Sequence, residues 1–187
     1  MKKSIFLSFM LLVQSLMLFG QSNKNQQKNG QENIQYVLTE SGYITVLVSS
    51  NNWIINLSEH GVIKDIEVSP KEKLEYDLLG RISKIGDQVV VYNLITGLID
   101  KIGDATLVYE PVFWRLNSIG NTINFQYDLF GRITKVNQDS IVYSVVDGKV
   151  DKIGETTIGY SLHRKVISIK PLKNNLRFKV NINPNAN

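Results

Sequence analysis

The sequence predicts an all-β protein, an antiparallel meander of short hairpin repeats that forms either an open twisted sheet or a closed barrel. Residues 80–87 read Gly-Arg-Ile-Ser-Lys-Ile-Gly-Asp, and this phrase returns with few changes at 97–104 and 148–155. A second element, an apolar residue, any residue and then Tyr, follows each phrase. Between residues 61 and 169 no window has a helical period, so the period and the composition both favour strands.

The copies of the phrase begin at a nearly constant interval. From Gly80 they begin 17 residues apart, at Gly97, Trp114, Gly131 and Gly148, whereas Gly42, Gly61 and Gly80 are 19 residues apart. A repeat of this length is one supersecondary unit, which buries its hydrophobic face only against its neighbours. The repeat therefore predicts the architecture, but it does not state the function.

Each repeat reads as two short strands joined by a tight turn. Residues 81–85 and 88–92 are rich in Ile, Val and Tyr, which suit a pleated surface. Gly86-Asp87 lies between them, and glycine reaches a positive φ without steric penalty. The apolar residues at plus two and plus five of each phrase have the wrong parity for one face. Either both faces are partly covered, or a β-bulge in each repeat corrects the parity, and we favour the bulge.

The two ends of the chain differ from its centre. Residues 1–20, with Lys2-Lys3 before a short apolar run, predict a signal peptide, and residues 21–33 predict a disordered polar leader. A single β-repeat domain is expected over 34–172, followed by a C-terminal tail over 173–187. The processed protein is expected to be exported to the periplasm or the cell surface and not to span a membrane, because its strands are too short and too charged.

The composition and the absence of known motifs argue against several classes of function. The chain has no Cys, so it has no disulfide framework, and its formal charge of +4 is spread among alternating cations and acids. Because no one-sign stripe exists, we expect no nucleic-acid partner. Nucleophile elbows, His-centred triads and phosphate-binding glycine loops are missing from the sequence, so we expect no enzyme, no cofactor and no metal site.

The repeat aligns two residue types that suggest a ligand ladder. Tyrosine beside arginine can bind sugar rings or acidic polymers, although sheets also use such pairs simply for cross-strand packing, which is the favoured interpretation. The candidate ladder comprises Tyr76, Tyr92, Tyr109, Tyr127, Tyr143, Tyr160, Arg81, Arg115 and Arg132.

Four aromatic residues break the repeat and lie in or near the links between hairpins. They are Trp53, Phe113, Trp114 and Phe130. A core plug or an end cap explains such residues most simply, but they are also the first candidates for an aromatic binding patch.

Two segments resemble the YD repeat of bacterial RHS proteins and related surface proteins. Residues 76–82 read Tyr-Asp-Leu-Leu-Gly-Arg-Ile, and residues 127–133 read Tyr-Asp-Leu-Phe-Gly-Arg-Ile. The family motif is Tyr-Asp, two variable residues, Gly-Arg and an apolar residue, and both segments match it fully. The resemblance extends loosely over 61–169. It implies an exported, β-rich, non-catalytic protein and transfers no binding residues.

The sequence therefore predicts an exported, non-catalytic structural or binding module at the bacterial envelope. A carbohydrate-binding module that uses the Tyr/Arg ladder is the first alternative, and a small hydrolase on an unfamiliar β fold is the second. The expected partner is an envelope protein or a glycan, between which the sequence does not choose. Open sheet edges also allow a homodimer or closure into a barrel, between which the sequence does not choose.

Overall fold

The computed structural model describes residues 33–180, and these residues contain 17 β-strands and no helix. The predicted signal peptide and all of the leader except Asn33 lie outside the described residues. Within residues 33–180 there is accordingly no helix of the length and apolarity that crossing a membrane requires. The strands form two sheets, one of five strands and one of twelve.

The small sheet has the order β17-β1-β2-β3-β4. Strands β1 to β4 are two consecutive hairpins of the chain, and only the pairing of β17 with β1 is parallel. The strands are β1 (Asn33–Thr39), β2 (Ile44–Ser49), β3 (Trp53–Leu57), β4 (Ile63–Val68) and β17 (Leu176–Lys179).

The large sheet is an uninterrupted meander in which each strand pairs with the next strand of the chain. The sequence prediction of hairpin repeats is thereby confirmed, and β5 and β16 are two separate edges of an open sheet. The strands are β5 (Leu74–Tyr76), β6 (Ile82–Ile85), β7 (Gln88–Tyr92), β8 (Ile99–Ile102), β9 (Ala105–Tyr109), β10 (Leu116–Ile119), β11 (Ile123–Tyr127), β12 (Ile133–Val136), β13 (Asp139–Tyr143), β14 (Val150–Ile153), β15 (Thr156–Tyr160) and β16 (Val166–Lys170).

Two kinds of connection alternate along the large sheet. Two-residue turns such as Gly86-Asp87 lie at one end, and longer links, such as residues 77–81, lie at the other. Each pairing across a link contains a register shift, for example between Glu75 and Tyr76 opposite Ile82. The predicted β-bulge is therefore present, and it turns both apolar residues of each phrase towards the core.

The two sheets share one hydrophobic core. Fully buried side chains come from both, among them Leu38 and Ile55 from the small sheet and Ile102 and Ile153 from the large one. Two polar contacts cross the interface: the Tyr36 hydroxyl donates to Asp139 over 3.0 Å, and the Trp53 indole donates to Gln88 over 2.8 Å. Because neither sheet covers its apolar face alone, each completes the other.

β17 falls within residues 173–187, which the sequence predicts to be a tail, and for residues 176–179 that expectation needs correction. These residues pair with β1, and Leu176 is buried. The reason is that β1 would otherwise offer an unpaired edge, and a short segment with one apolar anchor suffices to cover it.

Candidate binding surface

The hydroxyls of the repeated tyrosines donate hydrogen bonds to backbone carbonyls beside the bulges. Tyr92, Tyr109 and Tyr143 each donate a phenolic hydrogen bond of 2.9 Å to the backbone carbonyl ten residues earlier. Tyr160 does the same over 2.6 Å, and Tyr127 donates to Leu116. Each of these carbonyls belongs to the first residue of the strand that follows a link, beside the register shift. Five of the six ladder tyrosines thus satisfy a backbone oxygen of the fold.

Tyr76 differs from the other five ladder tyrosines. It lies on the edge strand β5 and is 60 % exposed. By contrast, burial raises the pKa of Tyr109 and Tyr143 well above the ordinary value of a phenol. Tyr109 and Tyr143 are therefore neutral donors across the physiological pH range.

Cations cover the faces of four tyrosine rings. The guanidinium carbon of Arg81 lies 4.3 Å from the centre of the Tyr92 ring, and that of Arg132 lies 4.3 Å from the Tyr143 ring. Arg115 covers Tyr127 at 4.1 Å, and the amine of Lys149 covers Tyr160 at 5.3 Å. The structure therefore brings the predicted Tyr/Arg ladder together, with the cations stacked on the rings.

The aspartate of each full Tyr-Asp-x-x-Gly-Arg segment accepts hydrogen bonds from backbone and side-chain groups of its own link. Oδ1 of Asp128 accepts the backbone amides of Phe130 and Arg132, each over 2.9 Å, while Oδ2 accepts Nε of Arg132 over 2.9 Å. Asp77 does the same for Leu79 and Arg81. The aspartate therefore holds the arginine over the tyrosine of the following strand, which gives a physical reason for the spacing of the motif.

Opposing effects act on the Asp128 carboxyl group. Its partial burial raises the pKa, but the hydrogen bonds and the charge of Arg132 outweigh burial, and the pKa lies below the ordinary value. The carboxylate is thus ionised and paired at neutral pH.

The links carry a row of exposed apolar side chains, which we call the link edge. Because the strands follow one another in order, all links between consecutive hairpins lie along the same side of the large sheet. Each presents one to three exposed apolar residues at its tip. The link edge comprises Leu78, Leu79, Leu94, Ile95, Val112, Phe113, Trp114, Leu129, Phe130, Val145, Val146 and Leu162.

A cleft of about 480 Å³ interrupts the link edge near its middle. Phe113 and Phe130 form its apolar walls, and Arg115 and His60 add polar atoms. Arg115 is paired with Glu110, so the charge in the cleft is already neutralised.

The structure brings three of the four predicted patch residues to the link edge. Phe113 and Phe130 line the cleft, and Trp114, also exposed, follows Phe113 in the chain. Trp114 occupies the position of a repeat glycine and keeps its conformation, with a φ of 54°. Trp53 lies apart, 2 % exposed in the core.

Sequence reasoning missed the contacts that join the two sheets at the link edge. Two turns of the small sheet, residues 39–43 and 58–62, each receive two backbone amides of the large sheet. Leu116 donates to Gly61 over 3.0 Å and Ile133 to Glu59 over 2.7 Å. Val150 donates to Gly42 over 3.0 Å and Val166 to Glu40 over 2.9 Å. The missed signal is the Glu-x-Gly sequence that both turns share.

No cluster of three or more His, Cys, Asp or Glu side chains suited to a metal ion occurs in the described part of the chain. The charged side chains of the links instead form ion pairs: Arg81 with Asp77 and Arg132 with Asp128 within their links, and Lys165 with Glu40 of the small sheet at 2.8 Å. The tips of the links are therefore apolar, and the charged side chains behind the tips are paired with opposite charges.

The chain matches no protein-family model and no curated protein sequence.

Proposed function

We propose that the protein is an exported, non-catalytic binding module of the bacterial envelope and that its link edge holds a protein partner. The supporting observation is the regular exposure of apolar residues on six consecutive links. Single exposed apolar residues are ordinary on protein surfaces, but a continuous row marks a surface that a partner covers.

The charges behind the row favour contact through apolar side chains. Asp128 and Glu110 already engage the arginines that could otherwise recruit an acidic ligand. Phe113 and Phe130 stand beside these arginines, with ring centres 5.0 and 5.2 Å from the guanidinium carbons of Arg115 and Arg132. Aromatic side chains backed by a rigid sheet are typical anchors of protein interfaces.

The carbohydrate alternative depends on the Tyr/Arg ladder. A sugar ring stacks on an exposed aromatic face and hydrogen-bonds to free polar groups, whereas the rings of Tyr92, Tyr127 and Tyr143 are covered and their hydroxyls are bonded. We therefore place the protein partner first. Glycan-array binding that falls when Tyr109 and Tyr127 become Ala, in variants that remain folded, would reverse this order.

Site-specific photo-crosslinking in the producing cells tests the proposal. A photoreactive residue replaces Leu129 on the link edge or, as the matched control, Val89 on the outer face of β7; both positions are exposed. The proposal predicts one discrete crosslinked envelope protein from position 129 and none from position 89. No crosslinked protein from 129, or the same products from both positions, would contradict it.

A further inference from the structure

In the large sheet, each of the six strands that follow a link begins with a residue whose backbone amide lies beside the register shift, and we call these six groups the bulge amides. Turns of the small sheet accept hydrogen bonds from four of them, which form two filled pairs. In each filled pair the carbonyl of the turn glycine accepts the earlier amide and the carbonyl of the turn glutamate accepts the later one. Gly61 and Glu59 serve Leu116 and Ile133 in this way. Gly42 and Glu40 serve Val150 and Val166. The same short backbone pattern thus recognises the same surface twice within one chain.

The third pair of bulge amides, those of Ile82 and Ile99, is not bonded to a turn of the small sheet, and we call it the open pair. Ile82 and Ile99 begin their strands after the same register shift, and their carbonyls accept the hydroxyls of Tyr92 and Tyr109, as in the filled pairs. No turn within residues 33–180 accepts the amides of Ile82 and Ile99. Burial differs in the same direction at three of the four filled positions: Leu116, Ile133 and Val150 are completely buried, whereas Val166 is partly exposed, as are Ile82 and Ile99.

The small sheet ends where a third hairpin would begin. Its two hairpins follow the amide pairs in order, and β4 is the edge strand on the side facing the open pair. β4 contains no proline, so its outer edge can accept a further strand. The two amides to which no turn is bonded and the outer edge of β4 together define a candidate site, which we call the open slot and define by Ile82, Ile99, Tyr92 and β4.

We propose that the open slot binds a β-hairpin of another polypeptide, whose turn carries the Glu-x-Gly pattern of residues 40–42 and 59–61. The inference continues an interface that the chain already makes twice, and it rests on the proposed function by naming the structural element that the partner supplies. The hairpin adds to β4, its glycine carbonyl accepts the amide of Ile82, and its glutamate carbonyl accepts that of Ile99.

The slot selects glycine for a steric reason. In the filled sites the turn glycine lies against a tyrosine hydroxyl: a Cβ on Gly42 would come 2.5 Å from the Tyr160 oxygen, and one on Gly61 would overlap the Tyr127 hydroxyl. Tyr92 holds the corresponding place in the open slot, since its hydroxyl bonds the Ile82 carbonyl. A hairpin with a larger residue at that position is excluded by the same overlap.

A cyclised peptide of residues 53–68 is the probe, because this segment is the hairpin that fills the middle pair. Calorimetric titration into the full chain should show binding, and nuclear magnetic resonance should show the Ile82 and Ile99 amides protected on saturation. The peptide with Gly61→Val should bind at least about tenfold more weakly, which corresponds to 1.4 kcal/mol. This comparison leaves the protein untouched.

Two protein variants complete the test. Ile99→Asp places a charge in the slot and should abolish binding, while Val91→Asp on the exposed outer face should leave it unchanged. Equal affinity of both peptides, binding that survives Ile99→Asp, or absence of binding would each overturn the proposal. A dimer of the chain that Ile99→Asp dissociates would also overturn it, by showing that a second copy fills the slot. Crosslinking from position 129 does not involve the slot, so the two proposals fail separately.

Discussion

The hydroxyl of Tyr143 shows how a single atom serves this fold. It is buried and donates to the carbonyl of Ile133, a bulge residue whose amide is bound by the other sheet. Both backbone groups of Ile133 therefore find partners outside the regular ladder. The bulge, which would leave polar groups unsatisfied in an isolated sheet, is stabilised by tyrosine on one side and by a turn on the other.

Removing that hydroxyl should be measurable. Tyr143→Phe leaves the Ile133 carbonyl without its donor, and we expect the free energy of unfolding to fall by roughly 1–3 kcal/mol. Tyr76→Phe, at the exposed position of β5, is the matched control and should change it by less than about 0.5 kcal/mol. Urea unfolding measures both variants. Equal effects would mean that the buried hydroxyl is not used as described.

The carboxylate of Asp128 makes stability depend on pH. Its pKa in the folded state lies below the ordinary value of 3.8, so the stability it contributes is fully present above about pH 4 and is lost as the pH falls through the folded pKa. Asp128→Asn should therefore destabilise the protein at pH 7, by roughly 1.5 kcal/mol or more, and much less at about pH 2.5.

The control for that experiment is Asp104→Asn in an exposed two-residue turn. Urea unfolding at both pH values should show almost no difference between this variant and the parent chain. An Asp128→Asn effect that is the same at pH 7 and pH 2.5 would contradict the paired-carboxylate account.

At the scale of the element, one type of turn has two roles: it connects two strands, and in some places it also docks one sheet on the other. The turns 58–62 and 77–81 have the same backbone bonds, with Gly61 donating to Ser58 and Gly80 donating to Asp77, and both glycines have a positive φ. Yet nothing lies within 4 Å of a Cβ added to Gly80, whereas one on Gly61 would overlap Tyr127. One turn ends a hairpin in open space, and the other also docks one sheet on another.

This contrast predicts unequal effects of one substitution. Gly80→Ala incurs only the strain of a positive φ, on the order of 1 kcal/mol. Gly61→Ala adds the overlap with Tyr127 and weakens the bonds to Leu116 and Ile133, so we expect it to lose at least about 1 kcal/mol more. Thermal and urea unfolding of the two variants give the comparison. Equal losses would show that the turn 58–62 is not docked.

The elements also show how far the sequence could be interpreted. The spacing of the glycines and the tyrosine that follows each repeated phrase predicted the hairpins. The parity of the apolar residues predicted the bulges. Both predictions were possible because these features are local. The docked turns were not predicted in the same way, because the bonds from Leu116 and Ile133 join backbone atoms, and the shared Glu-x-Gly sequence is too short to indicate a contact by itself. β17 was missed for a related reason: four residues without the repeat pattern become a strand only because β1 has a free edge.

The candidate site was predicted in its parts and not in its arrangement. The sequence singled out Phe113, Trp114 and Phe130, and these residues do meet at the link edge. It grouped Trp53 with them because all four interrupt the repeat, yet the position of Trp53 in β3 directs it into the core. The leucines and valines of the other links went unnoticed, because exposure of an apolar residue becomes visible only when the whole sheet is assembled.

At the scale of the molecule, the protein is an array with one position unfilled. Twelve strands repeat one design, and five strands cover only part of it, so that no turn of the small sheet accepts the first two bulge amides. Three of the four residues whose amides bond to a turn, Leu116, Ile133 and Val150, are completely buried, whereas Ile82 and Ile99 are partly exposed. The asymmetry between a regular array and a shorter cover is what creates a binding position.

Amide hydrogen exchange of the free full-length chain, followed residue by residue with nuclear magnetic resonance, tests this account most directly. The amides of Leu116, Ile133, Val150 and Val166 should be protected, while those of Ile82 and Ile99 should exchange roughly tenfold or more faster, the ratio that one amide bond of about 1.4 kcal/mol produces. Equal protection of all six amides would contradict the account, because it would mean that the array has no open position.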